Sequence, residues 1–136
     1  MHDNSVSPSG WYIGSYLIRF IEMGNVGNND PEQRFHSWEN TVIVRATSIG
    51  QAYDKIEGLA QAETTPYEGG PNATPVKWEF VGVTEVLPIY EDLEDGAEVM
   101  WAEHTPRKLK NLNKMVLSRA EVTQRAPNKA KQAGTP

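Results

Sequence analysis

The side chains in this chain that can do chemistry are three histidines, a run of carboxylates, a strand-borne glutamate pair and four tryptophans. His2, His36 and His104 stand far apart, with no His-x3-His or His-Glu-x2-His spacing, so the sequence does not support a zinc site carried on one helix, and the three read as separate surface histidines. The chain has no cysteine, which removes thiolate nucleophiles, disulfides and cysteine zinc sites. Glu91, Asp92, Glu94, Asp95 and Glu98 supply many oxygens, but their spacing is not that of an EF-hand loop, and they read as a solvated acidic turn. Glu79 and Glu85 share side-chain parity within one predicted strand, the geometry that a general acid and base pair requires. There is no Gly-x-Ser-x-Gly elbow. Neither Gly24-Asn25-Val26-Gly27 nor Gly69-Gly70 runs into a helix with Lys-Ser or Lys-Thr, so P-loop chemistry finds no support. The sequence assigns no catalytic residue and no metal ligand, implies no cofactor, and points to binding before catalysis.

Trp11, Trp38, Trp78 and Trp101 fall one to each predicted strand. Large aromatic residues at such positions pack a core or line a pocket or interface. The candidate binding set is Trp11, Tyr12, Tyr16, Trp38, Trp78, Glu79 and Trp101.

These residues need elements to position them. Residues 1–10 are rich in Ser, Pro and Asn and are predicted to be disordered. From Trp11 runs WYIGSYLIRFIEMG, in which Tyr12, Tyr16, Ile18 and Phe20 share one face and Trp11, Ile13, Leu17 and Ile21 the other. Apolar residues on both faces predict a central strand covered on both sides. After a Gly- and Asn-rich loop over 24–31, Trp38, Val42, Val44 and Ala46 alternate with polar positions, predicting a half-buried strand antiparallel to the first. Ser48 and Gln51 have capping-box spacing, and Ile49, Ala52, Tyr53, Ile56, Leu59 and Ala60 make one helical stripe. Gly58 interrupts that helix and suggests a close approach there. A loop over 65–75 leads to a strand over 76–87, with Trp78 and Phe80 on one face and Val81 and Val83 on or near the other. Asp95-Gly96 signals a reversal, and 97–104 is the last predicted strand.

The order β-β-α-β-β predicts an α+β domain over 11–105, with a four-stranded, mostly antiparallel sheet and one packed helix. Thr105-Pro106 then reads as the start of a basic amphipathic helix over 106–122. Leu109, Leu112, Met115 and Val116 form its stripe, and Arg107, Lys108, Lys110, Lys114 and Arg119 fill its other side. Residues 123–136 are predicted to be disordered.

Charge divides the chain in the same place. Residues 1–106 hold 5 Lys and Arg against 17 Asp and Glu, a charge of −12, while 107–136 hold 8 against one, a charge of +7. One helix covers one face of a sheet, so the second face needs a cover: the basic helix or a second copy.

The segments WYIGSYLIRF, WENTVIVRATSIGQAYDKIEGLAQ and VKWEFVGVTEVLPIYEDLEDGAEV resemble the bacterial family of domain of unknown function 4288. The features that carry the resemblance are Trp11-Tyr12, the strand and Ala-rich helix over 41–60, Trp78-Glu79-Phe80-Val81-Gly82, and the Leu-x-x-Gly-x-Glu-Val close from Leu93 to Val99. They cover about residues 11–100 in order; the sequence departs from the family in its Gly- and Pro-rich loop over 65–75 and at Met100-Trp101. The resemblance implies the fold and brings no activity with it.

Three readings of function follow. The first is a non-enzymatic protein-interaction module, a homodimer whose acidic body meets a basic protein partner. The second is a small-molecule binder or enzyme with a Trp-lined pocket. The third is a nucleic-acid accessory protein acting through the basic helix, a reading opposed by phosphate repulsion from the acidic body. No run approaches the roughly 20 apolar residues of a membrane span, and no apolar signal core opens the chain, so the expected location is cytoplasmic, away from membranes.

Overall fold

The computed structural model describes residues 4–64, 66–68 and 74–125. The loop predicted over 65–75 lies largely outside those residues, and the tail beyond Arg125 lies wholly outside them. Two units divide the chain, Met1–Trp101 and Ala102–Pro136.

In the first unit the apolar run becomes β1 (Trp11–Glu22), followed by a short 3-10 turn (Val26–Asn29), β2 (Ser37–Arg45), α1 (Ile49–Ala62), the two-residue β3 (Tyr67–Glu68) and β4 (Pro75–Pro88). The sheet is antiparallel in the order β2-β1-β4-β3, so the doubly apolar β1 is central, as its pattern predicts. The fold is α+β. Its sheet differs from the predicted one in that three long strands carry it, and the short addition at the edge is Tyr67–Glu68 rather than 97–104. Residues 97–104 form no strand. They follow a segment with four carboxylates, residues that strands disfavour, and a turn in which Ala97 N–H donates to the Glu94 carbonyl and Gly96 takes φ +88°.

Register fixes the faces. Tyr12, Gly14, Tyr16, Ile18 and Phe20 of β1 align with Val44, Val42, Asn40 and Trp38 of β2, and with Val86, Val83, Phe80 and Trp78 of β4. Pairing of β1 with β4 shifts twice, between Ser15 and Tyr16 and between Leu17 and Ile18, leaving Thr84 and Val81 as the extra residues. Simple alternation puts Val83 opposite Trp78 and Phe80; the bulge at Val81 brings it to their face, and the bulge at Thr84 restores the original parity, so Val86 shares that face too.

Helix α1 packs on this face. Ser48 Oγ accepts from the Gln51 N–H at 3.1 Å, the expected cap, while Gln51 Oε1 accepts from Thr47 N–H at 2.7 Å, one residue earlier than a capping box places it. Ala52, Ile56 and Ala60 are fully buried and meet Tyr12, Tyr16, Ile18 and Val44 in the core. The stripe is narrower than predicted: Ile49, Tyr53 and Leu59 stay exposed. Close approach occurs at Gly14 and not at Gly58. A Cβ on Gly14 would stand 2.0 Å from Ile56 Cδ1, whereas one on Gly58 would meet nothing within 4 Å.

The second face is less apolar than the first reading of β1 implies, because Ser15 and Arg19 lie on it. Ile13 and Ile21 are buried there. Between them run polar ties: Ser15 Oγ with Thr41 Oγ1 at 2.8 Å, Thr84 Oγ1 donating to Glu39 Oε2 at 2.5 Å, and an ion pair between Arg19 and Glu79.

Residues 4–10 are folded against the sheet end, in contrast to the predicted disorder. Ser7 and Ser9 hydroxyls both donate to the Ile89 carbonyl at 2.7 Å, Ser7 N–H donates to the Tyr12 hydroxyl at 3.0 Å, and Tyr90 donates to the Asn4 carbonyl. Polar composition suggests a loose terminus when those long-range acceptors are out of view.

The second unit corrects the single basic helix over 106–122. It holds two short helices, α2 (Leu109–Met115) and α3 (Arg119–Gln124). Lys108 precedes α2 with no side-chain cap, so the Thr105-Pro106 start is unused. Ser118 and Glu121 form a full capping box, at 3.1 and 3.2 Å, which opens a new helix where the predicted one would continue. Residues 123 and 124, predicted to be disordered, close α3. No helix among the described residues is long and apolar enough to cross a membrane.

Candidate functional site

Helix α1 has 14 residues and spans roughly 21 Å, while β1 has 12 residues and spans about 40 Å. The helix therefore covers about half of its face, and the remainder is built from aromatic rings. Phe20 at the end of β1, Trp38 at the start of β2 and Trp78 on β4 share the helix face, and His36 joins them from just before β2. Trp38 and Trp78 centroids are 6.4 Å apart; His36 lies 5.1 Å from the first and 5.8 Å from the second, and Phe20 meets Trp78 edge-on at 5.5 Å. All three of Phe20, Trp38 and Trp78 are half-buried and His36 is exposed, so the group forms a partly open aromatic wall.

Tyr16 lies beside this wall, where α1 ends. Its hydroxyl donates to Glu63 Oε1 at 2.6 Å and also bonds the Asn40 side chain. Burial first, then the hydrogen bond to Glu63 and that residue's charge, push the phenol up to about 12, against a smaller opposing pull from Asn40. Near neutral pH Tyr16 is a fixed hydrogen-bond donor and not a base.

The remaining predicted site residues are placed elsewhere. Tyr12 is buried at the opposite end of β1 under Ser7. Trp11 lies there too, with the Arg45 guanidinium 4.8 Å from its ring centroid. Trp101 meets Tyr90 at a tilt, with ring centroids 5.8 Å apart, and is exposed. Glu79 is on the second face, where Arg19 Nε and Nη2 donate to its Oε1 at 2.9 and 2.5 Å. Arg19 Nη1 also donates to the Asn28 carbonyl at 2.7 Å, and the guanidinium lies 4.5 Å from the Phe35 ring, so one arginine ties the 24–36 loop to the sheet. Glu85 shares this face but pairs with Ser15, four residues along β1 from the partner of Glu79. That is roughly 13 Å, too far for two carboxylates to work on one bond. Arg107, Lys108, Lys110, Lys114 and Arg119 are all exposed in the second unit.

Sequence reasoning thus reached Trp38, Trp78 and Tyr16 but missed Glu63, Asn40, Phe20 and His36 as their neighbours. Phe20 was legible by parity with Tyr16. Asn40 needed the β1–β2 register, and Glu63 the point where α1 crosses it. Among the described residues no group of three His, Cys, Asp or Glu side chains converges to hold a metal ion.

Comparison with curated proteins and with solved structures found no match. Residues 11–101 match a family described as a domain of unknown function, and this span takes in every strand, α1 and the aromatic wall. The chain belongs to the domain of unknown function family DUF4288.

Proposed function

We propose that this protein is a non-enzymatic interaction module that works as a homodimer. One observation carries the reading: two exposed apolar segments of opposite charge. Residues 90–101 hold Glu91, Asp92, Glu94, Asp95 and Glu98 with no Lys or Arg, and among them Tyr90, Leu93, Val99, Met100 and Trp101 are exposed. Residues 107–125 hold six Lys and Arg against Glu121, and there Leu109, Leu112, Met115, Val116, Leu117 and Val122 are exposed. Exposed apolar surface of this extent in a small protein marks an interface, and opposite charge supplies partner choice and register. Pairing the acidic segment of one copy with the basic segment of another satisfies both, and a closed two-fold dimer uses each segment once. A basic protein partner would meet the same acidic segment. With this reading go the bacterial origin and cytoplasmic location expected from the sequence. The test reverses Lys110→Glu and Lys114→Glu in the full chain. That variant is a monomer alone and forms a mixed dimer with a second variant carrying Glu91→Lys and Glu94→Lys; dimers that survive the reversal contradict the reading.

The aromatic wall favours a second reading, a small-molecule binder. Half-buried Trp38 and Trp78, with exposed His36 against both rings, suit a flat apolar ligand.

A further inference from the structure

The acidic first unit has few cations, and two of them line the same two cavities. Arg45 ends β2 and Lys55 lies on α1, with Lys55 Nζ donating to the Arg45 carbonyl at 2.5 Å. That bond uses one of the three ammonium hydrogens, leaving two for a ligand. Among the described residues the ion pairs formed are those of Arg19 and Lys77 with Glu79, and neither Arg45 nor Lys55 has a carboxylate partner. Both charges line the same cavities without a carboxylate partner, and an anion bound there is attracted by each.

Two cavities open on this pair, and both are lined by Arg45 and Lys55. One, of about 500 Å³, is walled by Trp11, Ile43, Leu59 and Ala62, with Gly58 lowering the helix side. The other, of about 490 Å³, is lined by Ser9, Thr47 and Gln51. The first wall is apolar and aromatic, the second carries hydroxyls and an amide, and Arg45 and Lys55 belong to both linings. Exposed Leu59 and Ile43, which α1 and the sheet leave outside the core, form the apolar wall. Each volume falls in the range of small-molecule sites.

We propose that this groove binds a small organic carboxylate with a flat apolar body. The carboxylate sits between Arg45 and Lys55, the guanidinium offering paired N–H donors while it stacks on Trp11. The body lies along Trp11 and Leu59. This site is separate from the aromatic wall and does not depend on the oligomeric state of the chain.

Naphthoate and its neutral counterpart naphthalenemethanol test the proposal by calorimetric titration of the full chain. Naphthoate binds saturably, at one site per chain, and the alcohol binds at least about tenfold more weakly. Arg45→Gln with Lys55→Gln lowers naphthoate affinity by about tenfold or more and leaves the alcohol unchanged, whereas Leu59→Glu weakens both. Lys55→Arg, which keeps the charge, retains binding, so the loss is separated from any loss of the strut to the Arg45 carbonyl. Circular dichroism establishes that each variant is folded. Equal affinity for the two probes, no saturable binding of naphthoate up to about 1 mM, or full affinity in the double variant overturns the proposal.

Discussion

Helix α1 and the pair α2–α3 carry the same kind of apolar stripe and meet opposite fates. Ala52, Ile56 and Ala60 of α1 are removed from water completely, whereas every described residue of the second unit is exposed. Periodicity does not separate them. The difference is a receiving surface: Gly14 leaves a notch in β1 for Ile56, and the small Ala52 and Ala60 let the helix lie close to the sheet. Capping differs as well, since Ser48 starts α1 while α2 begins at Lys108 without a side-chain cap. An amphipathic pattern states what a helix can bury; a shaped partner decides whether it does.

The comparison is broken most severely at Ile56. Ile56→Ala opens a cavity in the core and costs about 2–5 kcal/mol in denaturant unfolding, whereas Leu112→Ala, on the exposed stripe, changes the stability of the first unit by less than about 0.5 kcal/mol. Equal effects would mean that the two stripes are packed alike. Next in size is Tyr16, whose native pKa of about 12 lies above the ordinary 10.0. A raised pKa means that its contribution is complete below pH 10 and is lost as pH climbs toward 12, a fall of about 2–3 kcal/mol. Tyr16→Phe removes that part of the alkaline slope, which urea melts at a series of pH values measure.

Gly14→Ala drives a methyl against Ile56 Cδ1 and costs about 1–3 kcal/mol. Ile56→Val removes the struck atom, so the two changes together cost less than the sum of each alone, as a double-mutant cycle measures. The smallest effect has the opposite sign. Gly58→Ala places a methyl in open space at helical φ and raises stability by about 0.5–1 kcal/mol. It also narrows the Arg45–Lys55 groove on its helix side.

Much of the first unit was legible in sequence because its signals are local. Both faces of β1 carry apolar residues, β2 alternates, and Ser48 lies three residues before Gln51, so centrality, pairing and helix start could be read directly. What stayed hidden depends on distant partners. The bulge at Val81 in β4 inverts the parity that assigns Val83 to a face and the one at Thr84 restores it, and alternation cannot reveal either. The alternating residues after Gly96 look like a strand, but both edges of β1 are filled by β2 and β4. Ser118-x-x-Glu121 has the spacing of a capping box but lies inside the longer stripe, which reads as one continuous helix. At the aromatic wall, Trp38 and Trp78 were named from type and pattern, whereas Glu63 reaches Tyr16 only because α1 ends above it. Arg19 hid inside an apolar run, although its parity already set it on the same side as its neighbour Ser15 and opposite Tyr16.

The central claim is that the stripe on α2 and α3 finds its surface on a second copy, across opposite charges. Light scattering on the full chain, at low and at high salt, tests it most directly. At low salt the account predicts twice the chain mass, and at about 1 M salt a shift toward the single chain as the charges are screened. A single-chain mass at every salt and protein concentration would contradict it.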